Sequence, residues 1–168
     1  LDLREPYSSA HWNPMNVLIR RIRLVKDLQI NLQNRDGKYY GAGEVFLSYR
    51  DARTRVQELK DEIYENAQDL VYTLCPVQNR DQPTWEQGAR NLIFGLVLAF
   101  CEDCIKGKMD EKQLLLFNVY HNITRYCSED TTALREYLLE GRDEFSKVRG
   151  LVNTVLITSD KTLTSYLS

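Results

Sequence analysis

Residues 84–106, TWEQGARNLIFGLVLAFCEDCIK, decide the fold class of this chain. Most apolar residues of the stretch recur at steps of three and four, which is the period of an α-helix. They are Trp85, Ala89, Leu92, Ile93, Leu96, Val97, Phe100, Cys101 and Cys104. The apolar residues on the remaining faces are Phe94, Leu98 and Ile105. The pattern predicts a central core helix with neighbours on every side, capped by Thr84 and Gln87 and ended by Gly107.

Two further helices are predicted upstream of the core helix. One apolar face runs along residues 52–74 at helical steps. An earlier helix begins at Asn13, which suits the N-cap position, and Pro14, which suits the first helical position. Its pattern continues through roughly Leu28 or Leu32.

The other segments are shorter. Three helical patterns follow the core helix, over about 110–127, 131–141 and 145–167, and the last begins with Phe145 on its apolar face. Residues 34–49 are rich in glycine and tyrosine, which predicts a loop or a short hairpin around their Asp-Gly pair. The sequence therefore predicts an all-α fold, a single multi-helix bundle.

Length and composition are those of one globular domain. The chain has 168 residues, of which 43% are apolar and 27% charged, with a formal net charge of -2. This composition provides for a core and argues against a chain-wide attraction for nucleic acid. The longest apolar run, Leu92 to Cys101, has about half the length needed to span a bilayer, and no signal peptide opens the sequence. We expect one soluble domain over residues 1–168.

The motifs for catalysis are weak. Cys101 and Cys104 have the spacing of a metal or redox pair, but they lie in an apolar helical stripe without a second pair, which favours core packing. His11 and His121 stand alone, and no nucleophile elbow or phosphate-binding loop occurs in the sequence. The sequence predicts no catalytic residue, no metal and no cofactor. An all-α metal or thiol enzyme that uses Cys101, Cys104 and His121 is the least favoured alternative.

Basic residues with interleaved tyrosines are the candidate binding residues. They cluster at the start of the second helix and near the C-terminal end, and tyrosines of the predicted loop can stack on bases. The residues chosen on this basis are Arg50, Arg53, Arg55, Arg142, Lys147, Arg149, Tyr39 and Tyr40. The same clusters are also explained as solvated helix faces that balance the 24 acidic residues.

Three marks in a fixed order point to a known family. They are Asp2-Leu3-Arg4-Glu5-Pro6 with Ser9, His11 and Trp12-Asn13-Pro14, then Asp81-Gln82-Pro83-Thr84-Trp85 with Ala89, Leu92 and Gly95, and finally the Ser/Thr-rich tail 154–168. Together they resemble the all-α domain of TraG/TraD-like type IV secretion coupling proteins. The chain departs from that family at residues 34–49, which look like an extra insert, and at residues 81–85, which are looser than the usual form.

The resemblance implies a role in plasmid conjugation. In that family a membrane-anchored, hexameric ATPase docks relaxase–DNA cargo onto the secretion channel, and the all-α domain inserted in its motor is associated with cargo recognition. The expected place is the cytoplasmic face of the bacterial inner membrane. The expected partners are relaxase, relaxosome accessory proteins or secreted effectors, with weak, salt-dependent DNA binding as a further possibility.

The resemblance also implies that the chain is an excised part of a larger protein. ATP binding would belong to the parent motor, since no P-loop occurs here, and residues 1–9 and 160–168 would be the junctions with it. The leading alternative is a stand-alone helical DNA-binding or regulatory protein.

Overall fold

Helices make up most of the part of the chain that the computed structural model describes, which is residues 13–33, 38–41, 43–46, 48–78, 83–128 and 131–156. The α-helices there are α1 (Asn16–Gln33), α2 (Tyr49–Leu74), α3 (Pro83–Ile105), α4 (Leu116–Ser128), α5 (Thr131–Arg135) and α6 (Lys147–Leu156). A 3-10 turn, Glu111–Gln113, precedes α4, and a π-helical turn, Glu136–Glu140, continues α5. The strands β1 (Tyr39–Gly41) and β2 (Glu44–Phe46) form an antiparallel hairpin. The fold is all-α, as predicted.

Helix α3 is the helix that the others surround. Every residue from Phe94 to Cys101 is buried, which confirms the predicted core helix. On one side the rings of Tyr64 and Tyr72 from α2 lie 5.1 and 6.2 Å from the ring of Phe94. On another side Gly95 lets Val152 of α6 approach the backbone of α3. Among the described helices, none has both the length and the apolar character needed to cross a membrane.

Asn13 fixes the start of α1, as the sequence predicts. Its Oδ1 accepts a hydrogen bond from the Met15 amide at 3.0 Å, and its Nδ2 donates to the Leu114 carbonyl at 3.1 Å. The side chain therefore both caps the chain locally and ties it to the segment before α4. The regular helix begins at Asn16, two residues after the predicted Pro14.

The sequence predicted the end of α3 correctly but not its start. The helix begins at Pro83, so Thr84 lies inside its first turn and is not the N-cap that the sequence suggested. At the other end the prediction is confirmed. Gly107 has a φ of 71°, in the left-handed region, and the Lys108 amide donates to the Asp103 carbonyl at 2.8 Å. This is the Schellman arrangement that glycine favours after a helix.

Two other predicted boundaries are shifted. Asp110 caps the 3-10 turn, accepting from the Lys112 amide at 2.8 Å, and the α-helix begins only at Leu116. The hairpin in residues 34–49 is confirmed, but its turn lies between Gly41 and Glu44, where Gly43 has a φ of 75°. The Asp-Gly pair named in the prediction lies outside the described residues, as do residues 1–9 and 160–168.

Candidate functional site

A trough runs along one face of α2. The face carries Arg50, Arg53, Gln57 and Lys60, spaced so that they lie on one side of the helix over about 15 Å. Two adjoining cavities of about 500 and 330 Å³ form the trough, and Gln57 and Lys60 line both. We call this surface the α2 trough.

The floor of the smaller cavity is apolar. It is formed by Ile63 of α2 and by Leu98, Cys101 and Ile105 of α3, which are buried or half-buried. The far wall is the loop at residues 141–146. The trough thus changes in character along its length, from a basic helix face to an apolar floor.

Three cations of the α2 trough carry positive charge without a partner in the described part of the chain. Arg50 and Arg53 are exposed and Lys60 is half-buried, and none of them forms an ion pair or a side-chain hydrogen bond there. Cations aligned on one helix face raise the local concentration of an acidic ligand. The positive charge of this face therefore favours the binding of an acidic ligand.

Two acidic residues of α2 near the trough are paired with cations from the fold. Glu62 forms an ion pair with Arg21, whose Nε lies 2.7 Å from the carboxylate, and accepts a hydrogen bond from Arg55 at 3.0 Å. Asp61 accepts a hydrogen bond from Lys147 at 2.6 Å. The hydrogen bond from Lys147 lowers the pKa of Asp61. These pairs are partly accessible to solvent, so each contributes little to stability. Their effect on the site is that Glu62 and Asp61 do not cancel the charge of the three free cations.

A buried ion pair holds one end of the loop at residues 141–146. The Arg142 guanidinium donates to both carboxylate oxygens of Asp103, at 2.7 and 2.8 Å, and its side chain is 3% exposed. Burial alone would lower the pKa of Arg142, but the hydrogen bond to Asp103 and the nearby acids raise it, so the residue is charged. At the other end Ser146 donates to Glu102 at 2.7 Å. The loop is thus anchored on both sides.

Phe145 lies between these two anchors and is 91% exposed. Its amide donates to the Asp143 carboxylate at 2.9 Å, which fixes the local turn. Its ring borders the smaller cavity of the trough. A large aromatic side chain presented to solvent on an anchored loop has the properties of a binding hot spot, because its burial costs little ordering of the loop.

Several residues proposed from the sequence lie at or near the trough. Arg50 and Arg53 line its larger cavity and Lys147 lines the smaller one. Tyr39 is half-buried, with its ring 5.9 Å from that of Tyr49, which borders the larger cavity. Arg50, Arg53 and Lys147 therefore belong to one surface, although Lys147 is paired with an acid.

Other proposed residues lie elsewhere. Arg142 was expected at the surface, but its ion pair with Asp103 holds the side chain in the interior. We therefore no longer count it among the binding residues. Arg55 is held in a network with acidic residues, which raises its pKa even though burial acts in the opposite direction. Tyr40 is half exposed on the hairpin, and Arg149 is half-buried on α6. Neither of the last two lines the trough.

Gln57, Lys60 and Phe145 line the trough but were not among the binding residues predicted from the sequence. Gln57 and Lys60 follow Arg53 at helical steps on the same face of α2, and this spacing was a usable signal. Phe145 was assigned to the apolar face of the last helix, but it precedes that helix and is exposed. The signal for this was Ser146, whose hydroxyl accepts from the Val148 amide at 3.2 Å and so marks the N-terminus of α6.

The residues considered for metal or thiol chemistry do not converge. Cys101 and Cys104 are buried in α3, as predicted, and burial raises the pKa of Cys104 to about 11. His121 is exposed and stacks on Phe117. Within the described ranges, no three His, Cys, Asp or Glu residues are grouped so as to hold a metal ion.

A second groove has different chemistry. It has a volume of about 520 Å³ and lies between α2, α3 and α4, and the described residues that line it include no charged one. Leu74, Phe117 and Tyr120 at its rim are 45%, 70% and 66% exposed. This groove is apolar, whereas the α2 trough is lined by both charged and apolar residues.

The described residues form an all-α fold that carries a basic and aromatic trough and an apolar groove. Comparison of the chain with protein-family models, with curated proteins and with solved structures finds no match.

Proposed function

We propose that this chain is the substrate-recognition domain of a type IV secretion coupling ATPase. Its α2 trough would dock protein cargo, such as a relaxase, a relaxosome accessory protein or a secreted effector. The observation that carries the proposal is the α2 trough, where unpaired cations lead to an apolar floor and an exposed aromatic ring. The all-α fold agrees with the fold that the family resemblance implies.

The chemistry of the trough suits docking in two stages. Arg50, Arg53 and Lys60 would attract an acidic partner from a distance and align it along α2. Phe145 would then be buried against the partner, and this contact would determine how slowly the complex dissociates. The interior ion pair of Arg142 would have an indirect part, since it holds the loop that carries Phe145.

Inspection of the parent reading frame tests the origin of the domain. A P-loop upstream of residue 1 and an acidic Walker B strand downstream of residue 168 are expected. If both are absent, the coupling-protein assignment is wrong and the stand-alone regulatory protein becomes the better explanation.

A binding titration tests the role of the trough. Labelled relaxase and accessory proteins encoded beside the parent gene would be titrated with the wild-type chain and with the Arg50→Glu/Arg53→Glu variant. We expect the double charge reversal to weaken cargo binding by at least about tenfold, because each reversal replaces an attraction by a repulsion.

The matched control is Arg20→Glu/Lys112→Glu. Arg20 of α1 and Lys112 of the 3-10 turn are exposed cations that line neither cavity, so the same change of charge is expected to alter affinity less than about twofold. Equal losses in both variants would indicate only a general effect of net charge, and an unchanged affinity in the double variant would remove the trough as the cargo site.

A further inference from the structure

We infer, building on the proposed function, that the ligand of the α2 trough is an acidic protein segment that carries an apolar side chain, and not a nucleic acid. Three features of the trough lead to this conclusion. They are the spacing of its cations, the charge balance around Phe145 and the apolar floor.

The free cations are too widely spaced for a nucleic-acid backbone. Arg50 and Arg53 are separated by about 4.5 Å along the helix axis, and Lys60 lies about 10.5 Å further on. A DNA strand carries one phosphate about every 3.4 Å, so a strand along this face would bring four or five phosphates to three cations. An acidic helix with glutamates one turn apart, and a third about two turns later, matches these intervals.

The end of the trough near Phe145 carries no net excess of positive charge. Lys106 and Lys147 line it together with Glu102 and Asp143. Both lysines lie within ion-pair distance of acids of the chain, at 4.0 Å for Lys106 with Glu102 and 2.6 Å for Lys147 with Asp61. The exposed Glu144 lies directly beside Phe145. A phosphate backbone continuing past Lys60 would approach these carboxylates and be repelled.

The floor of the smaller cavity favours an apolar side chain over a base. Ile63, Leu98 and Ile105 line it, with the thiol of Cys101. The polar edges of a base would lose water there without gaining hydrogen bonds, whereas a leucine or phenylalanine side chain would only leave water. Phe145 at the rim would cover such a side chain on its solvent face. The expected ligand is therefore acidic at one end and apolar at the other.

Fluorescence anisotropy with four labelled probes tests this inference on the full chain. The first probe is a helical peptide of about 18 residues, roughly 27 Å long, with glutamates on one face and a leucine near one end. The second has lysine in place of every glutamate. The third and fourth are a single-stranded and a duplex DNA of about the same length. We expect the acidic peptide to bind and the lysine peptide not to bind, and both DNAs to bind at least about tenfold more weakly than the acidic peptide.

Variants of exposed residues then assign the binding to the trough. Arg50→Glu/Arg53→Glu is expected to weaken the acidic peptide about tenfold or more at low salt and less at high salt, because exposed charges are screened. Phe145→Ser is expected to weaken it about fivefold at both salt concentrations, since that contact is apolar. Arg20→Glu/Lys112→Glu, which makes the same change of net charge, serves as the charge control. All these side chains are exposed, and circular dichroism is expected to be unchanged.

Failure of the inference is distinguishable from failure of the proposed function. If either DNA binds more tightly than the acidic peptide, and this binding is lost in the Arg50→Glu/Arg53→Glu variant, the inference of an acidic ligand is wrong and the trough is a nucleic-acid site. Cargo binding that is sensitive to the same variant but not displaced by the acidic peptide would overturn the ligand class and leave the recognition role intact. If no variant of the trough changes the binding of cargo or probes, both proposals are wrong.

Discussion

Gly95→Ala is a sharp test of the packing of α3 against α6. A Cβ built at Gly95 would lie 2.1 Å from Cγ1 of Val152 and 3.7 Å from its Cβ. Non-bonded carbon atoms are most favourable at about 3.5–4.0 Å, so the first contact cannot be accommodated without movement. Either Val152 leaves its rotamer, which is strongly preferred for valine in a helix, or the two helices separate.

Two opposing effects determine the sign of the change in stability. Alanine is better than glycine inside a helix by about 1 kcal/mol, which would stabilise the variant. Overpacking a well-filled core costs about 1–3 kcal/mol, and a contact this short lies at the upper end of that range. We therefore expect Gly95→Ala to lower the free energy of unfolding by about 2 kcal/mol.

Urea denaturation followed by circular dichroism measures this difference, and α6 offers a matched control. Gly150 is also a helical glycine, but a Cβ there would meet no atom within 4 Å. Gly150→Ala is expected to raise the free energy of unfolding by about 0.5–1 kcal/mol. The same substitution is thus expected to change the free energy of unfolding in opposite directions at the two sites, because only the Cβ at position 95 meets a neighbouring side chain.

A rescue variant completes the test. Val152→Ala alone loses apolar contacts in the core and is expected to cost about 2 kcal/mol. Adding Gly95→Ala to it refills part of that space, so the double variant should be more stable than Val152→Ala. If Gly95→Ala instead stabilises the chain as much as Gly150→Ala does, the close approach of α3 and α6 is refuted.

Three further outcomes are expected. Arg142→Met should lower the free energy of unfolding by about 3–5 kcal/mol in urea denaturation, because it leaves the carboxylate of Asp103 buried without its cation; a loss below about 1 kcal/mol would contradict the buried pair. Cys104, whose pKa burial raises to about 11, should resist alkylation near pH 8 until the chain is denatured, as mass spectrometry can show; rapid labelling of the native chain would disagree. The hydrogen bond from Lys26 lowers the pKa of Glu111, so this pair stabilises the fold near neutral pH and loses its effect as the pH falls through that lowered pKa. Glu111→Gln should therefore cost up to about 1 kcal/mol near neutral pH and nothing in strong acid, and a cost that is independent of pH would argue against the pairing.

The helices were predictable from sequence because burial imposes a period on them. The apolar positions from Ala52 to Leu74 face one side, and α2 has those bounds to within three residues at its start. The all-round apolar character of residues 94–101 correctly indicated a helix with neighbours on every side. Boundaries that depend on a single cap, such as Thr84, were less predictable, because several nearby residues have the chemistry of an N-cap.

The site was less predictable, because sequence proximity does not reveal which charges are paired. Arg142 and Lys147 belong to one cluster in the sequence, but Asp103 draws the first into the interior, and Asp61 pairs the second at the surface. These partners lie 39 and 86 residues away along the chain. Only the packing of α3 and α2 against the loop before α6 brings them together.

The same pairing explains how a chain of formal net charge -2 presents a basic surface. Each ion pair cancels one positive and one negative charge, so the sign of the charge on a given surface is determined by the residues that remain unpaired there. On α2, Glu62 and Asp61 are neutralised by cations from other parts of the fold. Arg50, Arg53 and Lys60 are what remains on the trough face. The overall composition therefore excludes a chain-wide attraction for polyanions but permits a local one. For this reason, charge reversal on the α2 trough tests its binding role more directly than a change in total charge does.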